Sequence, residues 1–176
     1  MRKTLEGFTL VEALVALGVA AICATVGVPA LRDFAQTQRA SSAMQRLDTQ
    51  IASARMAAVT HGKATVLCPS MDARNCAAGR DWSRGWLTFF DPDGNRRPDE
   101  RSDILHVDQS SHTGKLVIGT SSGRAYLRFR PDGTSPGTNL SFRFCGATTG
   151  LLGSLIVNNA GRARTERPLT PSACPL

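Results

Sequence analysis

Chemistry in this chain concentrates in its arginines. Residues 120–176 hold seven of them (Arg124, Arg128, Arg130, Arg143, Arg162, Arg164, Arg167) against only Asp132 and Glu166, which is +5 of a formal net charge of +7. Elsewhere the chain is near balance, with eight cations facing eight acids over 61–119. A guanidinium is a rigid fork of N–H donors suited to phosphate, so a face built from arginine points to an anionic partner. The densest group is Gly161-Arg162-Ala163-Arg164, with Arg167 close by. A glycine turn followed by extended backbone puts Arg162 and Arg164 on one face, spaced to reach neighbouring phosphates. Arg128, Arg130 and Arg143 extend the strip if strand order brings them to the same side. A merely solubilising surface is the alternative. The chain has one tyrosine, Tyr126, and its two tryptophans lie away from these arginines, so no aromatic platform for single strands is evident. A polyphosphate partner would be held by its backbone charge, with steep salt dependence.

A second informative group lies at the other end. Arg2 and Lys3 precede Gly7-Phe8-Thr9-Leu10-Val11-Glu12, after which no charge occurs from Ala13 to Leu31. As a helix, 8–31 would extend about 36 Å, enough to span a bilayer. The two cations would keep the start of the chain cytoplasmic and the remainder outside. A carboxylate inside such a tract costs a few kcal/mol unless paired, which marks Glu12 as functional. An ordinary secretory signal fits poorly, because no small-residue cleavage site closes the apolar tract.

Other candidate chemistries are weaker. Cys23 falls in the apolar tract as a small packing residue, leaving Cys68, Cys76, Cys145 and Cys174 in the exported part. An even set in an oxidising compartment implies disulfides. Of the three connectivities, sequence proximity favours Cys68–Cys76, with Cys145–Cys174 anchoring the C-terminal tail. Zinc lacks its short Cys-to-Cys spacing, and no metal or other cofactor is expected. The run from Asp91 to Glu100 offers oxygen ligands near Gly94, but Arg96 and Arg97 interrupt it and the register of a calcium loop fails, so a polar hairpin loop is expected. His61, His106 and His112 are isolated, and Ser70 and Ser83 lack a nucleophile context; the chain reads as a non-enzyme.

These groups must be positioned by an α+β scaffold. Ala40, Met44, Leu47, Ile51, Ala54 and Ala58 recur at three- and four-residue spacing, with Arg39, Arg46, Asp48 and Gln50 on other faces. One long helix is therefore expected, apolar all round to Leu31 and amphipathic over 32–60. His61-Gly62 ends it, and strands are expected at 64–68, 85–90, 104–107, 115–118, 124–130, 139–145 and 154–158. In the 124–130 segment, Ala125, Leu127 and Phe129 form one face and Arg124, Tyr126, Arg128 and Arg130 the other. Trp82 and Trp86 are assigned to the core. The whole is a helix packed on antiparallel sheet.

The run Gly7-Phe8-Thr9-Leu10-Val11-Glu12 resembles the processing site of type IV pilins and type II secretion pseudopilins, and Pro29 falls where many pilins carry a helix-loosening proline. Scattered residues of the remainder resemble the minor pilin and H-type pseudopilin (FimT/GspH) group: Cys68-Pro69-Ser70, Trp82, Gly85-Trp86, Phe89 with Asp91, Gly94, Cys145 and Gly161-Arg162-Ala163-Arg164. The resemblance implies the type IV pilin fold. It implies a leader, 1–7, removed by a prepilin peptidase after Gly7, with methylation of Phe8. It further implies an inner-membrane and fibre-core helix half over 8–31, and a globular domain over 61–176 that is periplasmic before assembly. Glu12 would pair with the N-terminal amine of a neighbouring pilin in the fibre. The Gly-Arg-x-Arg segment resembles the one associated, in the FimT branch, with DNA binding during natural transformation. A minor pilin that primes assembly without touching DNA, or an H-type pseudopilin of a type II secretion system, are the other roles the resemblance allows.

Overall fold

The computed structural model describes residues 9–109, 116–147, 149–170 and 172–175. Gly7 and Phe8 of the expected processing site, along with His112 and Lys115, lie outside them. The chain divides into two units, Met1–Ala35 and Gln36–Leu176, and helix α1 (Leu10–His61) supplies residues to both.

In the first unit the helix start is closed by a capping box. The Glu12 amide donates to Thr9 Oγ1 at 3.3 Å, and Thr9 N and Oγ1 donate to Glu12 Oε2 at 3.4 and 3.3 Å. Two of the amides that every helix leaves orphaned at its start are satisfied this way. Pro29 lies inside the helix and removes one i→i−4 bond without ending it. Leu10, Leu14, Leu17, Ile22, Leu31 and Phe34 all stand exposed on this half. By length and composition the helix can cross a membrane.

Among the described residues the second unit contains eight strands: β1 (Thr65–Pro69), β2 (Trp86–Phe90), β3 (Ile104–Asp108), β4 (Leu116–Thr120), β5 (Leu127–Phe129), β6 (Leu140–Gly146), β7 (Gly150–Val157) and β8 (Ala163–Glu166). They form two four-stranded antiparallel sheets, ordered β3-β2-β1-β5 and β4-β6-β7-β8. The helical periodicity is realised as a buried stripe of Ala40, Ala43, Met44, Leu47, Ile51, Ala54 and Ala58, in one core with Phe129, Phe142, Phe144 and Leu155. Gln50 departs from expectation: it is buried, and its Nε2 donates to Thr88 Oγ1 at 3.2 Å. In β6, Leu140, Phe142 and Phe144 point inward while Ser141 and Arg143 point outward, the period-2 pattern of a one-sided strand. Strand β1 is buried at all five positions because its sheet is covered on both faces. Leu67 joins the helix-side core, while Val66 and Cys68 join a second core with Leu87 and Phe89, closed by Tyr126, Ile104 and Cys76. Trp82 and Trp86 are fully buried, Trp82 edge-on to Phe142 with ring centroids 4.8 Å apart.

Two strand expectations are corrected. The 124–130 segment is strand only at Leu127–Phe129, because the Arg124 guanidinium folds back onto Thr138 O (2.8 Å) and Ser135 Oγ (3.0 Å). The strand expected at 154–158 begins four residues earlier, as β7, while the extended backbone expected after Gly161 is present as β8, an edge strand that packs on the core through Ala163. Disulfides join Cys68 to Cys76 and Cys145 to Cys174.

Candidate functional site

The Gly161 region is a hairpin turn pressed against a second turn. Asn158 N donates to Arg162 O and Gly161 N to Asn158 O, closing the connection between β7 and β8. Opposite lies the 130–134 turn, closed by Gly133 N to Arg130 O (2.8 Å) and Arg130 N to Thr134 O (2.9 Å), and tied across by Ser135 N to Asn159 O (2.9 Å). Gly161 sits at the contact, buried and with φ of +73°; a Cβ there would collide with the Gly133 carbonyl oxygen. That same carbonyl accepts a 2.9 Å bond from Arg55 Nε, which pins helix α1 to the junction. Gly161 is thus a packing residue. Arg55, which no sequence signal separated from the other helix arginines, is the third member of the joint.

Arg162 and Arg164 flank the inward Ala163, and both are exposed. The Arg162 amide is held by Asn158 Oδ1 at 3.0 Å, and among the described residues its guanidinium makes no hydrogen bond or ion pair. Arg162 borders an open groove of about 730 Å³ whose other walls include Asp48, Arg55, Met56, Val59 and Asp132. Arg164 is paired, with Nε 3.0 Å from Glu166 Oε1, two residues along the same strand face. Registers Arg143↔Ser154 and Ser154↔Glu166 place Arg143 on the face that carries Arg164 and Glu166. Its guanidinium donates to the Pro175 carbonyl of the disulfide-anchored tail. Arg167 turns toward the helix, donating to Ser41 Oγ at 3.4 Å.

Arg130 stands exposed in the turn that packs against the Gly161 turn, so the fold joins the Arg130 and Arg162 turns although 32 positions separate the two residues. Asp132 in the same turn is held below the usual carboxylate range by the Thr134 hydroxyl and amide, with a smaller contribution from Arg130. Arg128 does not join this group. It belongs to the other sheet, where its Nε lies 3.6 Å from Oδ2 of the fully buried Asp91 and its guanidinium also donates to the Asp91 carbonyl. Asp91 Oδ1 accepts the Arg96 amide at 3.0 Å, so this carboxylate organises the 91–100 loop from below. No group of three or more His, Cys, Asp or Glu side chains suited to a metal ion occurs among the described residues.

Comparison with known proteins fits this architecture. The family model described as type II transport protein GspH matches residues 43–161. No curated protein matches the chain in sequence. Among solved structures, type IV minor pilin FimU from Pseudomonas aeruginosa aligns in one crystal form with a TM-score of 0.58 at 22% identity, covering 78% of this chain and 98% of that one. A second FimU crystal form aligns with a TM-score of 0.54 at 23% identity over 74% of this chain and 98% of that one. The minor pseudopilin EpsH from the type 2 secretion system of Vibrio cholerae gives a TM-score of 0.52 at 12% identity, over 74% of this chain and 98% of that one. At such identities the structural likeness speaks to fold, a long helix packed on antiparallel sheets, and the family model spans more than half of the chain. The chain belongs to the GspH family of minor pilins and pseudopilins.

Proposed function

We propose that this chain is a minor pilin of a type IV pilus that binds double-stranded DNA, independently of base sequence, for uptake in natural transformation. The observation that carries the reading is the double-turn joint, which packs the turn bearing exposed Arg130 against the turn bearing exposed Arg162 and continues into Arg164 on β8. Rigid backbone under exposed guanidiniums is what phosphate contact needs, because little ordering cost remains at binding. On this reading Arg162 and Arg130 lead, Arg164 contributes once it leaves Glu166, and Arg128, Arg143 and Arg167 support the fold. The N-terminal segment serves delivery. A prepilin peptidase cleaves after Gly7, Phe8 is methylated, and the helix waits in the inner membrane. In the fibre, Glu12 exchanges its cap for the Phe8 amine of another pilin, since two charges in an apolar bundle are tolerable only as a pair.

One observation favours a purely structural minor pilin or pseudopilin. Five of the seven C-terminal arginines already have partners within the subunit: Arg124, Arg128, Arg143, Arg164 and Arg167. Electrophoretic retardation of duplex DNA by the full chain in nonionic detergent separates the two readings. Retardation at low salt, weakened by R162Q/R164Q and strengthened by E166Q, supports DNA contact. Absence of any retardation at low salt overturns it.

A further inference from the structure

Away from the double-turn joint, the other face of the β3-β2-β1-β5 sheet carries a recess of about 340 Å³. The Cys68–Cys76 disulfide, Pro69 and Ala125 form apolar walls, and Arg96, Arg97 and Tyr126 supply the polar ones. The Arg96 guanidinium lies over the Tyr126 ring, 5.3 Å from its centroid. Arg96 is one of two non-glycine residues at positive φ among the described residues, at 63°. This strained conformation is maintained by the bond from its amide to buried Asp91 Oδ1. Arg97 is set by its amide bond to Asn95 Oδ1 at 2.7 Å, and its guanidinium has no partner among the described residues. No carboxylate lines the recess. Neighbouring acids are engaged elsewhere: Asp93 and Asp99 accept from Asn95 Nδ2, and Asp103 from the Glu100 amide.

A cationic, acid-free recess with one stacked guanidinium and apolar walls suits a planar ring bearing an anion. We propose that it is a nucleotide-binding pocket, with the heterocycle on the Arg96–Tyr126 stack and the phosphate on Arg97. Guanidinium planes accept bases on their open face, and a free guanidinium donates two bonds to a phosphate. The ligand is a nucleoside monophosphate unit, whether free or at an unpaired position of a DNA strand. This site is separate from the Arg162 surface and does not rest on the duplex-binding reading.

The test is a ligand-observed NMR titration of the full chain in detergent with deoxyadenosine monophosphate, inorganic phosphate and a short single-stranded oligonucleotide. Saturable binding of the monophosphate is expected, tighter than that of phosphate. R97Q should weaken it about tenfold, the loss of a charged hydrogen bond. R96G should weaken it too, while leaving the melting temperature unchanged or higher, because glycine relieves the positive φ. R162Q/R164Q should bind the monophosphate like the wild type, so failure of either proposal is seen independently. A single-strand affinity that falls in parallel with R97Q assigns the pocket to DNA; an affinity for the free monophosphate alone assigns it to a soluble nucleotide. Inorganic phosphate binding as tightly as the nucleotide, or unchanged affinities in both R96G and R97Q, would overturn the assignment.

Discussion

Replacing Gly161 by alanine should destabilise the second unit through both backbone strain and a steric collision. At φ of +73° an alanine carries left-handed strain of about 1–2 kcal/mol. Its Cβ would also press on the Gly133 carbonyl, with Arg55 Nε and Phe129 Cε1 each at 3.1 Å. That carbonyl has no free direction of retreat: its turn is closed by Gly133 N to Arg130 O and linked by Ser135 N to Asn159 O. The relief available is loss of the charged Arg55–Gly133 bond, costing about 1.5–3 kcal/mol. The sum is about 2.5–5 kcal/mol, or a fall in melting temperature of roughly 10 °C for a unit of this size. Gly62 provides the matched control, with φ of +61° and no atom within 4 Å of an added Cβ. G62A should therefore show the strain alone, about 1 kcal/mol. Thermal unfolding of both variants by circular dichroism measures the difference. If G161A melts within about 2 °C of G62A, the two turns do not form the joint described, and the packing of the Arg162 turn on the Arg130 turn falls with it.

R128Q should lower stability by about 2 kcal/mol in chemical denaturation, because it leaves the buried Asp91 carboxylate without its cation, and should leave DNA retardation unchanged. Asp72 is held well below the usual carboxylate range, first by the Asn75 side chain and then by the Asn75 and Arg74 amides. Its contribution is present above the unfolded-state value of about 4 and fades as pH falls below it, so D72N should flatten the acid side of a melting-temperature profile. C174S opens a 29-residue crosslink and should cost about 3.5 kcal/mol in unfolding free energy, releasing the tail from Arg143. On the DNA-binding proposal, the plot of log affinity against log salt should have a slope of about −3, reflecting Arg130, Arg162 and Arg164; a slope near −6 would mean that the whole basic third engages.

The parts of this fold legible in the sequence are those set by local periodicity. The buried helix stripe from Ala40 to Ala58 follows from three- and four-residue spacing, and the inward Leu140, Phe142 and Phe144 from alternation. The extended run after Gly161 is legible only from its arginine spacing, because an edge strand with one core-facing alanine carries no apolar alternation. The 124–130 segment misled for the converse reason: its alternation is real, but Arg124 finds better partners in Thr138 and Ser135 than in a ladder. At the candidate site, the Arg162–Ala163–Arg164 spacing was readable from strand geometry. The joint beneath it was not, since Gly161 meets Gly133 and Arg55 only through long-range packing. The sequence shows Arg96 only as an interruption of the 91–100 run, because its placement depends on a positive φ and on Tyr126, which is 30 positions away.

Charge counting and contact geometry therefore answer different questions about the basic third of the chain. The seven arginines raise the potential over the whole region, which acts through solvent and draws any polyanion toward it. A phosphate can be held only by a guanidinium that is not already satisfied, because exchanging one partner for another gains little net free energy. Arg128 illustrates the limit: moving it toward a ligand would strand the Asp91 carboxylate in the core, and no exposed phosphate contact offsets that cost. Arg164 is different, because its partner Glu166 is exposed and is readily hydrated once released. Partner burial, more than arginine position, thus divides structural from available cations here, and it selects Arg130, Arg162 and Arg164.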